Sequence, residues 1–82
     1  MSPTVFRQGP YDFFFYSNEG TEPAHIHIRS GSGEAKFWLI PVVLAYNYGY
    51  RANELRRLER LVIQNRRHLL EAWNEYSERK KG

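Results

Sequence analysis

The chain has 82 residues, no cysteine and a formal net charge of +3 at pH 7. A chain of this length forms one domain, which we place at residues 1–82, and the lack of cysteine excludes disulfides, thiolate nucleophiles and cysteine-ligated zinc. No run approaches the ~18 apolar residues of a membrane-spanning helix, and the first residues lack the apolar stretch of a signal peptide. We therefore expect a cytoplasmic protein without a membrane segment.

The charge is divided unevenly along the chain. Residues 1–50 carry three basic and four acidic side chains, whereas residues 51–82 carry nine basic and five acidic ones. A basic C-terminal part permits an acidic partner, either a nucleic acid or an acidic protein segment. The simpler interpretation is that its central arginines form a solvated helix face: Arg56, Arg57, Arg60, Arg66 and Arg67.

The N-terminal part predicts strands. Residues 3–6 predict a short extended arm that adds an edge strand, and Gly9-Pro10 predicts a turn. The aromatic density of residues 11–16 favours a strand over a helix. Residues 17–23 contain many turn formers and predict a loop that joins this strand to the next one as an antiparallel hairpin.

Strict alternation of polar and apolar residues then predicts a β-strand with two histidines on one face. His25, His27 and Arg29 share that face, while Ile26 and Ile28 share the other, which is the natural core face. At about 3.3 Å per residue the two imidazoles stand about 7 Å apart along an exposed face. This strand is where the sequence most strongly indicates a functional site.

Residues 34–40 predict a third strand that ends at Pro41, with Lys36 and Trp38 on the face opposite to Phe37 and Leu39. The next five apolar residues, 42–46, show no decisive period. We expect a short helix or an irregular link there rather than a fourth strand.

The last third predicts a single amphipathic helix. From the candidate N-cap Asn53, apolar residues recur every three or four positions as far as Tyr76, which indicates a helix of about 27 residues and about 40 Å. Together the elements predict an α+β fold: a three- or four-stranded antiparallel meander, roughly residues 4–46, covered on one face by a long C-terminal helix, roughly residues 53–79. An uncovered histidine face and an overlong helix favour a homodimer or a small obligate partner.

Several segments resemble a small bacterial family known as domain of unknown function 4160. The resemblance is carried by the Pro-x-His-x-His element at Pro23, His25 and His27, by the Ala-Lys-Phe-Trp run at residues 35–38 and by the Trp-Asn-Glu run at residues 73–75. It covers nearly the whole chain. It implies a partner, because members are often encoded beside a second small protein in an arrangement like a toxin-antitoxin pair.

The leading functional hypothesis is a toxin-antitoxin component, in the first place the toxin, that acts on RNA. Cleavage of an RNA phosphodiester needs one group to accept a proton, another to donate one, and a nearby cation for the phosphate. His25 and His27 are the candidate acid-base pair for a cleavage that uses no metal and no cofactor. Other residues are candidates for binding the substrate or orienting an imidazole, namely Arg29 and Lys36 for phosphate, Trp38 and Tyr16 for a base, and Glu22 and Asn18 for the imidazoles.

Two other interpretations remain open at this stage. A His-x-His strand supplies two metal ligands on one face, and Glu22, Asp12 and His68 are candidates for a third. Alternatively, the histidines only line a binding surface, and the protein is a non-enzymatic module, such as an antitoxin or regulator, that binds a protein or a nucleic acid.

Overall fold

The computed structural model describes residues 4–16, 22–31 and 33–81. In this part of the chain five strands form one antiparallel sheet in chain order: β1 (Thr4–Gln8), β2 (Tyr11–Phe14), β3 (His25–Ser30), β4 (Gly33–Leu39) and β5 (Val42–Tyr48). Two helices follow, α1 (Ala52–Gln64) and α2 (Arg66–Lys81). The α+β class and the antiparallel order are confirmed, whereas the prediction of three or four strands and one helix was too coarse.

The N-terminal arm is the edge strand β1, as the sequence predicts. Gly9 and Pro10 form the turn between β1 and β2, and Gly9 takes a φ of 58°, in the left-handed region that glycine adopts without steric cost. Across the pair, the rings of Phe6 and Phe13 stack with centroids 4.3 Å apart. The first hairpin is therefore tied to the core by an aromatic pair.

The expectation of a short helix or an irregular link at residues 42–46 is wrong, because these residues belong to β5. This strand pairs with β4 from Val42, opposite Leu39, to Tyr48, opposite Glu34. The register shifts between Lys36 and Phe37, which leaves Ala45 as an extra residue in β5. A bulge of this kind interrupts the two-residue alternation, so the sequence pattern does not show the strand.

The core lies between one face of the sheet and the two helices. The apolar parity predicted for β3 and β4 is confirmed, since Ile26, Ile28 and Phe37 are at most 1 % exposed, and Phe13 of β2 is likewise buried at 0 %. They pack against the buried residues of the helices, Leu58, Val62, Leu69 and Trp73. Burial of each phenylalanine contributes about 1.5–3 kcal/mol, so this face supplies much of the stability of a small domain.

The prediction of one continuous helix is corrected at Asn65. This residue has φ −105° and ψ 11°, and its side-chain Nδ2 donates to the carbonyl of Leu61 at 2.7 Å. Arg66 starts α2, and its Nε donates to the carbonyl of Leu39 at the end of β4. In the described part of the chain, neither helix has the length and apolar character needed to cross a membrane.

Candidate functional site

The two histidines of β3 are buried rather than exposed, which corrects the expectation of an open imidazole face. His25 is 0 % exposed and His27 is 3 % exposed. Their ring centroids lie 5.0 Å apart at an interplanar angle of 89°. The ring of Trp73, from α2, lies 4.6 Å from that of His25, and the ring of Tyr16 lies 4.6 Å from that of His27. The imidazoles are thus part of an aromatic cluster.

The position of His25 is set by the backbone before the strand. Its Nδ1 lies 2.9 Å from the carbonyl oxygen of Pro23, which can only accept, so Nδ1 carries the proton and donates it. Glu22, the predicted orienting carboxylate, lies farther away, with Oε1 3.7 Å from the same nitrogen. Sequence reasoning missed the Pro23 carbonyl because a backbone acceptor leaves no signal in the side-chain pattern.

A chain of hydrogen bonds joins His27 to the surface. Tyr46 of β5 donates from its Oη to Oε2 of Glu34 at 2.6 Å, and Nδ1 of His27 lies 3.1 Å from the same hydroxyl. A phenol has only one proton to give, so Nδ1 of His27 must be the donor to Tyr46. Tyr16 also donates to Glu34, with its Oη 2.8 Å and 2.9 Å from the two carboxylate oxygens.

Glu34 and Tyr46 are therefore at the centre of this network, although neither was among the predicted site residues. Burial and then the hydrogen bond to Glu34 raise the pKa of Tyr46 above the ordinary value for a phenol. The available sequence signal was parity, because Glu34 lies two residues before Lys36 and so on the same face of β4. Tyr46 follows the bulge and could not be placed by alternation.

The predicted cations are on the same face but are engaged. Nζ of Lys36 donates to Oε1 of Glu22 at 2.5 Å and lies 4.4 Å from the ring centroid of Trp38, and the lysine is only 8 % exposed. Arg29 is exposed, with its guanidinium carbon 4.4 Å above the ring of Phe14. Seven of the eight predicted site residues thus occupy one neighbourhood, which we call the polar face: Tyr16, Glu22, His25, His27, Arg29, Lys36 and Trp38. The eighth, Asn18, lies outside the described residues.

The candidate metal ligands do not come together in the described residues, where no three histidine, aspartate or glutamate side chains are close enough to hold a metal ion. Asp12 instead pairs with Nε of Arg7 at 2.6 Å. His68 is on α2, and its ring contacts that of Phe6 at 5.7 Å. Two buried, proton-donating imidazoles and a carboxylate bridged by phenols thus form a hydrogen-bonded layer on one face of the sheet.

Comparison with protein-family models gives a match over most of the chain. The family model described as Domain of unknown function (DUF4160) matches residues 11–74, which include β2 to α1 and the first half of α2. No curated protein and no solved structure matches the chain. The match thus covers the polar face and most of the core.

Proposed function

We propose that this chain, which belongs to the DUF4160 family, is a non-enzymatic binding component of a toxin-antitoxin-type pair in the bacterial cytoplasm. The burial of both imidazoles carries the proposal, at 0 % exposure for His25 and 3 % for His27. A general acid or base must come within hydrogen-bonding reach of its substrate, and an RNA cannot reach side chains that are enclosed by the protein. In this proposal the polar face stabilises the fold of a binding protein and does not catalyse a reaction.

The surface that we assign to the protein partner is the outer side of α1. Arg56, Arg57 and Arg60 are all exposed there, and we call them the arginine stripe. Arg56 and Arg60 are one turn apart and so lie side by side on the helix. Residues 51–64 carry four arginines against two glutamates. An acidic segment of the second small protein, whose existence the family resemblance implies, complements this surface.

A binding measurement with matched charge reversals tests this proposal. The purified protein is titrated with the product of the adjacent small gene, and Arg60→Glu is compared with Arg67→Glu. Arg67 is 96 % exposed on α2 and lies outside the arginine stripe. The Arg67→Glu variant therefore makes the same change of charge at a different part of the surface. We expect Arg60→Glu to weaken binding at least tenfold, on the order of 1.4 kcal/mol, and Arg67→Glu to change it little. Absence of binding by the wild type, or equal loss in both variants, would contradict the proposal.

RNA cleavage at the polar face is the second candidate function. The observation that favours it is the hydrogen-bonded chain from His27 through Tyr46 to Glu34, whose side chain is 23 % exposed and so brings the network to the surface. Arg29 and Lys36 are cations on the same face, as a phosphate contact requires. A substrate would have to displace the side chains that enclose His27.

Induced expression distinguishes the two candidates. The wild type and the His25→Ala/His27→Ala variant are expressed at matched soluble levels, and growth and RNA integrity are followed. Since both side chains are buried, circular dichroism must show that the double variant folds, and Tyr46→Phe serves as a milder second variant. Growth arrest and RNA cleavage by the wild type alone would establish the RNA function. If the wild type neither arrests growth nor cleaves RNA, the binding proposal is favoured.

A further inference from the structure

The exposed apolar side chains of the described residues are concentrated at one edge of the sheet. Five large apolar residues are exposed, and four of them lie on β5 or in the turn that precedes it: Ile40 at 64 %, Val43 at 48 %, Leu44 at 38 % and Tyr48 at 68 %. The fifth, Ile63, is on α1 at 52 %. Clusters of exposed apolar side chains are typical of surfaces that bind another molecule.

The same edge has neither a charge nor a proline to keep it from pairing, and its one irregularity is the bulge at Ala45. β5 is the last strand of the sheet, so one side of its backbone has no neighbouring strand among the described residues. Its seven residues, Val42–Tyr48, include no charge and no proline. The opposite edge strand, β1, has five residues, and one of them is Arg7. Natural sheets protect an edge with charges, proline, bulges or shortness. β1 is short and charged, whereas β5 has only the bulge at Ala45.

We propose that β5 pairs in antiparallel fashion with β5 of a second copy of this chain, so that the sheet continues across a two-fold axis. Two identical edge strands related by a two-fold axis perpendicular to the sheet run antiparallel and present the same surface to each other. Each chain carries a net charge of +3, but β5 carries none. The contact therefore brings no like charges together, which makes a second copy a suitable occupant.

The pairing of β5 with β4 selects the register. Val43 lies opposite Trp38 and Tyr48 opposite Glu34, which places Val43 and Tyr48 on the polar face of the sheet. Leu44 lies opposite Phe37 on the core side. A register with Val43 across from Tyr48 of the second copy therefore joins side chains of the same face. The bulge residue Ala45 then lies next to the two-fold axis.

A pocket beside β5 fits this register. An open notch of about 320 Å³ is lined by Pro23, Trp38, Ile40, Pro41 and Val43. With Val43 across from Tyr48 of the second copy, the exposed phenol ring of that tyrosine lies at the notch. The same contact occurs twice in the dimer, and it covers the most exposed apolar side chains of both chains.

Sedimentation analysis of wild type and two lysine variants tests the pairing. We expect the wild type to sediment at twice the chain mass of 9.8 kDa. Val43→Lys puts a charge into the paired edge. Because burying an unpaired charge is costly, the dissociation constant should rise by roughly 100-fold or more. Ile63→Lys changes an equally exposed apolar residue on α1 and should leave the constant within about threefold.

Disulfide cross-linking tests the register without relying on a disruptive variant. The chain has no cysteine, so Val43→Cys/Tyr48→Cys introduces the only two thiols. Residues five positions apart on one strand are about 16 Å apart and cannot form a disulfide within a chain. Oxidation should therefore give a covalent dimer linked between positions 43 and 48, identified by peptide mapping.

Each outcome decides the proposal. A dimeric wild type, a monomeric Val43→Lys variant, a dimeric Ile63→Lys variant and the 43–48 link support it. A wild type that stays monomeric at its highest soluble concentration overturns it and leaves the edge to a strand of a different protein. Dissociation by both lysine variants, or by neither, also overturns it. The arginine stripe lies on α1, so a failure here leaves the test of the proposed function unaffected.

Discussion

Nδ1 of His27 lies 3.1 Å from Oη of Tyr46, a hydroxyl that already donates a hydrogen bond to Glu34 at 2.6 Å. His27 therefore donates a hydrogen bond to the Tyr46 hydroxyl, which in turn donates one to the carboxylate of Glu34. This order fixes the proton on Nδ1 of a side chain that is 3 % exposed. The hydroxyl of Tyr46 thus links His27 of the polar face to Glu34.

Tyr46→Phe should destabilise the protein by about 1–3 kcal/mol, because it leaves a buried imidazole N–H without its acceptor and removes one hydrogen bond from Glu34. Chemical denaturation at pH 7 measures the free energy of unfolding. Tyr48→Phe is the control, since Tyr48 is on the same strand but 68 % exposed, and its variant should stay within about 0.5 kcal/mol of the wild type. Equal losses in the two variants would show that the hydroxyl of Tyr46 has no special role.

The stability of the protein should fall as the pH rises above 10, the ordinary pKa of a tyrosine. Burial raises the pKa of Tyr46, and the hydrogen bond to Glu54 raises that of Tyr11. Above pH 10 the unfolded chain therefore loses protons that the folded chain retains, which favours unfolding. Below pH 10 both states hold these protons, and this contribution to stability is fully present.

Thermal unfolding measures this dependence. The measurements run from about pH 8 to about pH 11.5, the range in which phenols titrate. Tyr46→Phe should show a smaller decrease in stability over the alkaline range than the wild type, because one of the groups with a raised pKa is gone. An identical slope in the two proteins would mean that Tyr46 ionises as easily in the folded chain as in the unfolded one.

The alternation of residues in β3 and β4 was enough to predict which of their side chains form the core. Ile26 and Ile28 on β3 and Phe37 on β4 are buried on the face that their parity indicates. Parity also grouped His25, His27, Lys36 and Trp38 on one face, which the structure confirms. These predictions succeeded because they depend only on the two-residue period of a strand.

The features that sequence reasoning missed depend on contacts between distant parts of the chain. The burial of His25 requires the ring of Trp73, which lies 48 positions later. The strand β5 was hidden because its bulge at Ala45 interrupts the alternation. The helix break at Asn65 involves a side-chain bond to the Leu61 carbonyl, which competes with the helix but leaves the apolar period unchanged.

Glu22→Gln should destabilise the protein more than Lys36→Met does. Lys36 is 8 % exposed and its ammonium is compensated by Glu22, so loss of the carboxylate leaves a buried charge at a cost of about 1–3 kcal/mol. Methionine keeps most of the volume of the lysine and removes the charge, so Lys36→Met should cost less than about 1 kcal/mol.

A double-variant cycle in denaturant measures this coupling, and Arg67→Met/Glu71→Gln serves as the control cycle. That pair is 96 % and 69 % exposed at a distance of 4.0 Å, and its coupling should stay below about 0.5 kcal/mol. If Lys36→Met proves as costly as Glu22→Gln, the contacts of the ammonium with Glu22 and with the ring of Trp38 stabilise the folded protein by more than burial of the charge costs.

Gly33→Ala should destabilise the protein by about 1–3 kcal/mol through overpacking. A Cβ at this position would lie 2.7 Å from the ring of Tyr50, a buried residue whose hydroxyl donates to the Gly33 carbonyl at 3.1 Å. Gly31→Ala is the matched control, because a Cβ there meets nothing within 4 Å, and its variant should stay within about 1 kcal/mol of the wild type. Chemical denaturation compares the two variants. If Gly33→Ala leaves the free energy of unfolding unchanged, the Tyr50 ring can move aside. The turn between β3 and β4 would then be less tightly packed than its contacts indicate.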